Sequence, residues 1–524
     1  MEPVIIVGGG PTGLTLACLL ARSGIRSTVL ERFPEPYPLP RAVHMDAEVL
    51  RILSAVGVAE EFITVSRPAS GLRLVDRDLH VLAEFPRSLS EERDGHPGAS
   101  MYNQPDLEQV LRAQTACHPE ITLVTGVELR DVLQSSSGVT ATVTDMATGE
   151  PGVHHGRWLI GCDGANSSVR QLSGTHWQDL GFRQRWLVLD IDVPGAELDQ
   201  WDGIQQLCDT TRPGTYMRIG DHRYRWEFRL ADDETAEEFC TLESVLPLIR
   251  PWLGHTSPDH LHLVRSAEYT FRSCVADRWR TGRILLAGDA AHLTPPFIGQ
   301  GLGSGQRDAG NLAWKLATVI NGTAPTSLLN SYEAERRPHA ASLIRIAILL
   351  GQMMSGGGAL GDLLRRRGLG TVARTADRLP GLSRFTRDSA TPPLPRTRLW
   401  EGTRIALPAV GRGASLVGHL IPNALIADSG AADVSGERFD DHVGYRFSIV
   451  TTDPASEEQV REVSRRGAVL LQVGQNSAMG AWLQNAHAAA AVIRPDRTVL
   501  TAGASITKIY NQIPATHTLV KDIR

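Results

Sequence analysis

The sequence predicts an α/β protein of two or three packed units, and three observations carry that prediction. The chain opens with an apolar run broken by glycines, in which residues 3–7 read as a buried strand and residues 8–13 as a tight loop leading into a helix. The middle, from about Trp186 to Phe271, changes to segments of alternating apolar and polar residues with turn signals between them. Beyond the proline-rich TPPLPR that starts at Thr391, short strand patterns return with a helix between them. At 524 residues the chain is also too long for one ordinary core.

Taken in order, a helix is expected from Thr12 to Ser23, ending near Gly24, followed by a second strand from Ser27 to Leu30. That is a βαβ beginning, for which parallel pairing is the natural outcome. In YMRIGDHRYRWEFRL the dipeptide Gly220-Asp221 separates two alternating runs, the mark of a hairpin in an antiparallel sheet. Tyr224, Trp226 and Phe228 then share one face, opposite Arg223, Arg225, Glu227 and Arg229. Those three aromatic residues either line an aromatic substrate's pocket or simply pack on a neighbouring element. Arg283 to Ala287 reads as a further strand, and the pattern beyond Lys315 is helical through about Met354. It loosens at SGGGALGD and again at TPPLPR, a stiff connector. Arg365 to Arg367 read as a solvated helix face, and YRFSIVTT and AAVIRPDRTVL as strands of a small terminal α/β unit.

The formal net charge of -5, from 53 basic and 58 acidic residues mixed throughout, gives no footprint for nucleic acid or anionic lipid and favours small-molecule chemistry. Six cysteines are spread singly, without C-x-x-C or metal-ligand spacing, which suits a reducing cytoplasm. The run VIIVGGGPTGLTLACLL has Glu2 before it, no basic flank and early glycines, so it is not read as a signal sequence, and no membrane span is expected. The sequons at Asn166 and Asn321 are accordingly chance matches. His260 and His262 sit two apart on an expected strand face, but no third ligand is suggested nearby and no metal is expected.

Chemistry enters with Gly8-x-Gly10-x-x-Gly13, which follows a strand and opens a helix, with Glu31 at the end of the next strand. Small residues let the backbone approach a pyrophosphate, the helix N-terminus offers free N–H groups, and the carboxylate accepts from ribose hydroxyls. This Rossmann-like pattern fits a nicotinamide or a flavin dinucleotide, and only one copy of it occurs. Two further pieces share a strand–Asp–Gly–helix layout: WLIGCDGANSSVR around Asp163 and Gly164, and RILLAGDA around Asp289.

Together, in this order, these pieces resemble the class A FAD-dependent aromatic hydroxylases, the group that includes the para-hydroxybenzoate hydroxylases. The wording HLTPPFIGQGLGSGQRDAGNLAWKL, PRAVHMDAEVLRIL and RYRWEF is most similar to the 3-(3-hydroxyphenyl)propionate hydroxylase branch and related natural-product monooxygenases. The likeness covers about residues 1–350 and is faint beyond the proline linker. It implies that Gly8, Gly10, Pro11, Thr12 and Gly13 hold the FAD pyrophosphate and that Glu31, with Arg32 beside it, holds the adenosine ribose. It further implies contacts of Arg41 and Gln104 with the pyrophosphate and ribityl regions, and of Asp289 with the ribityl chain. Asp163 and Gly164 would serve FAD and NAD(P)H, Pro295 and Pro296 would pass close to the flavin ring, and Gly299, Gly301, Leu302 and Gly303 would meet its pyrimidine edge. Many relatives place Asn where this chain has Gly303, so a side-chain contact there is lost or replaced by water.

The implied organisation is an FAD-binding domain with a helical extension over 1–177 and 272–390, an antiparallel substrate-binding sheet over 178–271, and a thioredoxin-like domain over 391–524. That last part contains no cysteine, so disulfide exchange is excluded. The implied reaction is a monooxygenation: NAD(P)H reduces FAD, O2 adds to form a C4a-hydroperoxide, and its distal oxygen goes to a small phenolic or polyketide-like aromatic. The nearest alternative is a flavin monooxygenase of the same fold performing epoxidation or Baeyer–Villiger oxidation on a polyketide-like substrate in natural-product biosynthesis, and a flavin-binding assembly protein with little turnover is the alternative from another class. His44 and Asp46 are candidates to assist phenol deprotonation, with helix capping as the other reading of Asp46. Glycines at 299, 301, 303 and 305 are expected to leave the backbone beside the ring pliable. A homodimer is left open.

Overall fold

The computed structural model describes residues 2–39, 41–87, 89, 94–195, 197–355, 391–397, 399, 415–426 and 436–513. Strand β1 (Val4–Val7) is buried along its whole length, as four apolar β-branched residues require in a sheet covered on both faces. Helix α1 (Pro11–Ala21) follows, with Pro11 in its first turn where no N–H is needed. Strand β2 (Ser27–Glu31) pairs parallel with β1, Val4 opposite Ser27 and Val7 opposite Leu30. On the other side of β1 lies β3 (Trp158–Gly161), also parallel. The six-stranded sheet continues through Ile121–Thr125 beyond β2 and through Ile284–Leu286 beyond β3. The chain leaves β1 to one side first and returns to the other side later, so a crevice opens at its carboxyl end.

The second sheet has eight strands and contains β4 (Trp177–Asp192), β5 (Gly214–Arg218), β6 (Arg223–Arg229) and β7 (His262–Ala276). The β5–β6 hairpin turns at Gly220-Asp221 as the alternation predicts, with Tyr216 opposite Trp226. The sheet is mixed, because Ile204–Leu207 pairs parallel with Gly71–Val75, and it thereby takes in strands from residues 71–86. Tyr224, Trp226 and Phe228 pack beneath a helix, α2 (Leu242–Leu253), against Val245, Ile249 and Trp252. His260 and His262 do not share a strand face: Ser257 caps a short turn, Pro258–His260, and only His262 enters β7.

Two long helices close the first part of the chain, α3 (Gly301–Ile320) and α4 (Asn330–Ser355). SGGGALGD beyond Ser355 and Arg365 to Arg367 lie outside the described residues. The terminal unit has a four-stranded sheet, ordered Val469–Gln472, Ser448–Thr451, Ala490–Ile493 and Val499–Gly503, with the first pair parallel and the others antiparallel. It is joined to the rest by buried ion pairs. Arg51 binds both carboxylate oxygens of Asp440 at 2.7 and 2.9 Å, and Glu335 binds Lys315 at 2.8 Å and Arg494 at 3.0 Å. Among the described residues no helix is long and apolar enough to cross a membrane.

Candidate functional site

The loop after β1 divides its glycines into two kinds. Gly8 lies at φ 106°, and a Cβ there would collide with the carbonyl oxygen of Cys162, while a Cβ at Gly13 would collide with the carbonyl oxygen of Gly8. Those two are glycine because strand, loop and helix touch backbone to backbone. Gly10 is different: its φ of -76° suits any residue, and a Cβ there would meet no described atom within 4 Å. It caps α1 without a side-chain hydrogen bond, so the amides of the first helical turn, including Thr12 and Gly13, receive no side-chain acceptor from the cap. A phosphate-sized group fits this cradle, held by N–H groups and the positive end of the helix dipole.

Glu31 closes one side of the loop. Its carboxylate accepts from the Gly9 amide at 2.6 Å and the Phe33 amide at 2.9 Å, and it stays half-exposed, with lone pairs left for a sugar hydroxyl. Arg32 is exposed and lies over the Phe33 ring, and Arg41 is exposed over the Tyr37 ring. Gln104 is turned toward the chain: its oxygen accepts from the amides of Arg41 and Ala42 at 3.2 and 2.8 Å, and its nitrogen donates to Glu108 at 2.8 Å. Gln104 thus holds the Arg41 turn in place.

The second half of the site is the turn after Ile284–Leu286. Gly288 lies at φ 62°, and its amide donates to Asp308 at 2.9 Å. Asp308 also takes His292 at 2.8 Å and Arg336 at 2.7 Å; burial alone would raise its pKa, but the Arg336 guanidinium, with the His292 hydrogen bond, holds it below the usual range. Asp289, next to Gly288, is solvent-accessible yet enclosed by protein, as a cleft-lining carboxylate is, and desolvation raises its pKa. Thr12 joins the halves, because a Cβ at Gly288 or at Gly305 would collide with its hydroxyl. The start of α1, the Asp289 turn and the start of α3 therefore converge on one threonine.

At α3 the helix begins without a side-chain cap at Gln300, and a Cβ on Gly301 would meet no described atom within 4 Å. Leu302 is half-buried. Gly303 is buried, and a Cβ there would lie 2.9 Å from the Arg307 guanidinium and 3.2 Å from Val49. The space a larger side chain would use at this position is filled by Arg307. Gly301, Gly303 and Gly305 are all helical rather than loop residues, and the last two serve close packing; of the four glycines, Gly299 alone keeps a left-handed φ, 62°. Pro295 leads into a short turn, Pro296–Ile298, whose Phe297 ring meets Phe182 at 5.5 Å and Trp186 at 5.7 Å.

His44 reaches the Gly299 carbonyl at 3.3 Å, and burial lowers its pKa, so it is neutral near pH 7. Asp46 caps the helix Ala47–Val56 through the Val49 amide at 3.0 Å and takes Arg307 at 2.6 Å and Gln300 at 2.8 Å. Burial would raise its pKa, but Arg307 holds it low. The capping reading of Asp46 describes it, and the residue is committed to anchoring the start of α3. Asp163 steadies the start of the helix Ser168–Leu172, accepting from its cap residue Ser167 at 2.5 Å and from the Val169 amide at 3.1 Å, with its pKa raised by burial. Gly164 beside it, at φ 78°, faces open space within 4 Å among the described residues.

Tyr224, Trp226 and Phe228 are at most 1% exposed in the core under α2 and do not reach this cleft. The opposite face of β6 does: Arg225 donates to the Arg41 carbonyl at 3.2 Å. Sequence reasoning missed Gln300, Arg307 and Asp308, although a helix carrying GQRD among alanines and leucines signals buried charges with fixed partners. It also missed Gln206, whose amide donates to the Phe297 carbonyl at 2.8 Å from two strands away.

With this geometry in place, the comparisons are specific. A family model described as FAD binding domain matches residues 1–347. A probable NADH-specific resorcinol 4-hydroxylase of Rhodococcus jostii (strain RHA1) is 39% identical over 353 residues, covering 67% of this chain and 65% of that protein, just under two thirds of its length. A 3-(3-hydroxy-phenyl)propionate/3-hydroxycinnamic acid hydroxylase of Burkholderia cenocepacia (strain HI2424) is 33% identical over 524 residues, covering 95% of this chain and 93% of the relative. Among solved structures, anhydrotetracycline hydroxylase from Streptomyces rimosus superposes with a TM-score of 0.74 at 26% identity, covering 96% of each chain. A ternary complex of aklavinone-11 hydroxylase with FAD and aklavinone matches in fold, with a TM-score of 0.75 at 24% identity over 96% of each chain.

Proposed function

This chain belongs to the FAD-binding class A aromatic hydroxylase family, and we propose on that premise that it holds FAD between the starts of α1 and α3 and hydroxylates a phenolic or polyketide-like aromatic. NAD(P)H and O2 are its co-substrates. The observation that carries the placement is the pair of uncapped helix starts meeting at Thr12, with open volume at Gly10 and at Gly301. A long, bent anionic molecule with a polar ring edge at its far end matches that pair.

When bound, FAD supplies the reduction by NAD(P)H and the activation of O2. The chain does the rest. Gly8 and Gly13 set the loop, and Gly10, Pro11 and Thr12 present amides and space to the pyrophosphate. Glu31 takes the adenosine ribose with Arg32 at its edge, and Asp289 takes the ribityl hydroxyls. Arg41, steadied by Gln104, supplies positive charge beside Asp289, whose pKa it lowers. Gly299, Gly301, Leu302 and Gly303 line the pyrimidine end, Pro295 and Pro296 border the ring, and the region near Asp163 and Gly164 receives NAD(P)H. The Phe182, Trp186 and Phe297 cluster keeps water from the reacting face.

The terminal unit is proposed to be thioredoxin-like; its strand order, with one parallel and two antiparallel pairs, supports this, and it acts by packing alone because it has no cysteine. The test is purified, yellow protein given NADH or NADPH in air. Consumption should rise on adding resorcinol or 3-(3-hydroxyphenyl)propionate, with one oxygen atom gained by the aromatic. Equal consumption without any aromatic would contradict a hydroxylase.

A further inference from the structure

The face of β6 that looks away from the aromatic core carries a carboxylate with no evident structural duty. Glu227 is only 7% exposed, and its nearest positive charge is the Arg225 Nη1 at 3.9 Å. Arg225 is itself committed to both oxygens of Asp190 at 2.7 and 2.9 Å, which leaves its charge largely offset. Among the described residues no N–H or O–H lies in hydrogen-bonding position to Glu227. A buried carboxylate without a donor costs stability, and such groups concentrate where a ligand completes them.

Register fixes what it faces. Glu227 stands opposite Val188 on β4 and Thr215 on β5; Thr215 stands opposite Gln206, and Gln206 opposite Leu74. This row therefore lies on one face of the sheet. The face is pinned to the cofactor-side segments at two points: Gln206 donates to the Phe297 carbonyl at 2.8 Å, and Arg225 donates to the Arg41 carbonyl at 3.2 Å. Glu227 sits between the two pins, and its register partner Val188 is two residues along β4 from Trp186, on the same face, whose ring packs on Phe297 at 5.7 Å. A carboxylate flanked by a hydroxyl and set into an aromatic wall matches an aromatic ring that bears a hydroxyl.

We propose that Glu227 is the group that receives the substrate's phenolic hydroxyl, with Thr215 beside it, and that it selects hydroxyl-bearing aromatics. This rests on the hydroxylase reading above. In the step assigned to it, the phenol O–H bond breaks, the proton goes to a Glu227 carboxylate oxygen, and the electron pair stays on the phenol oxygen. The ring becomes richer in electrons at its ortho and para positions, and the proton returns to the product oxygen before release. Burial raises the pKa of Glu227, which brings it closer to that of a phenol than an ordinary carboxylate would be. The charged groups around it are Arg225 on its own strand, Asp190 on β4 and Arg265 on β7; Tyr269 on β7 also lies within electrostatic reach.

The experiment compares resorcinol with 1,3-dimethoxybenzene as probes, titrated into FAD-loaded protein and read by the change in flavin visible absorbance at several pH values. Wild type should prefer resorcinol by about tenfold or more, the size of a lost charged hydrogen bond, and its affinity should rise with pH as Glu227 ionises. Glu227→Gln and Glu227→Leu should keep stoichiometric FAD and a Tm at or above that of wild type, lose most of that preference, and lose the pH dependence. Retention of the full preference in both variants overturns the assignment, and so does a wild type that binds both probes equally. A wild type that binds FAD but neither probe overturns the phenolic substrate class itself, and one that binds no FAD overturns the reading on which the assignment rests.

Discussion

The starts of α1 and α3 solve the same problem with different supports. Each helix begins without a side-chain cap and exposes one glycine to open volume, Gly10 in the first and Gly301 in the second. At the first start the remaining glycines are forced by backbone against backbone, Gly8 under Cys162 and Gly13 under Gly8. At the second start they are forced chiefly by side chains: Gly303 by Arg307 and Val49, Gly305 first by Thr12 and then by the Gly288 Cα. Backbone cannot yield without moving a strand, whereas a side chain can rotate. One start is therefore rigid by construction, and the other is rigid only as long as its ion pairs hold.

The largest effect expected from that difference is at Gly13. Gly13→Ala places a methyl group on the Gly8 carbonyl oxygen and should cost more than about 4 kcal/mol, enough to leave little folded protein in a thermal melt. A Tm within a few degrees of wild type would remove the claim of rigidity. Next in size is Asp308→Asn, which leaves Arg336 buried without its carboxylate and should cost about 3 kcal/mol. The folded pKa of Asp308 is lowered from 3.8, so its contribution is fully present above that value and fades as pH falls through the lower folded value. The Tm gap between variant and wild type should accordingly narrow in acid below about pH 4. A gap that widens there would contradict the ion-pair account.

Smaller still is Gly305→Ala, expected to cost about 1–2 kcal/mol because the main obstacle is the Thr12 hydroxyl, with the Gly288 Cα farther off at 3.2 Å. Adding Thr12→Ala should recover most of that loss in a double-mutant cycle. Simple additivity of the two changes would break the contrast between the starts.

How much of this was legible beforehand follows the same division. The βαβ beginning, the hairpin at Gly220-Asp221 and the long helices could be read because periodicity and turn residues are local signals. The first glycine motif was legible because its spacing is dictated within six residues. The support of the second start was not, since Asp46 and Arg307 are 261 positions apart in the chain. Glycines 303 and 305 were read as loose for the same reason: sequence shows a missing side chain but not the Arg307 and Thr12 atoms that occupy its place. On β6 the alternation was visible, and it separated Tyr224 and Trp226 from Arg225 and Glu227, but it could not say which face looked toward the cofactor segments. That was decided by Gln206 reaching Phe297 and Arg225 reaching Arg41.

The central claim is that the two helix starts form one FAD site with the pyrophosphate at Gly10, and Gly10→Val tests it most directly. A Cβ added at Gly10 meets no described atom within 4 Å and the φ of -76° is permitted for valine, so the backbone itself is not strained. The variant should melt within a few degrees of the cofactor-free wild type, elute as a folded protein, and be colourless, with FAD content reduced to a few per cent by absorbance after release. A folded Gly10→Val protein that is yellow and carries stoichiometric FAD would contradict the account.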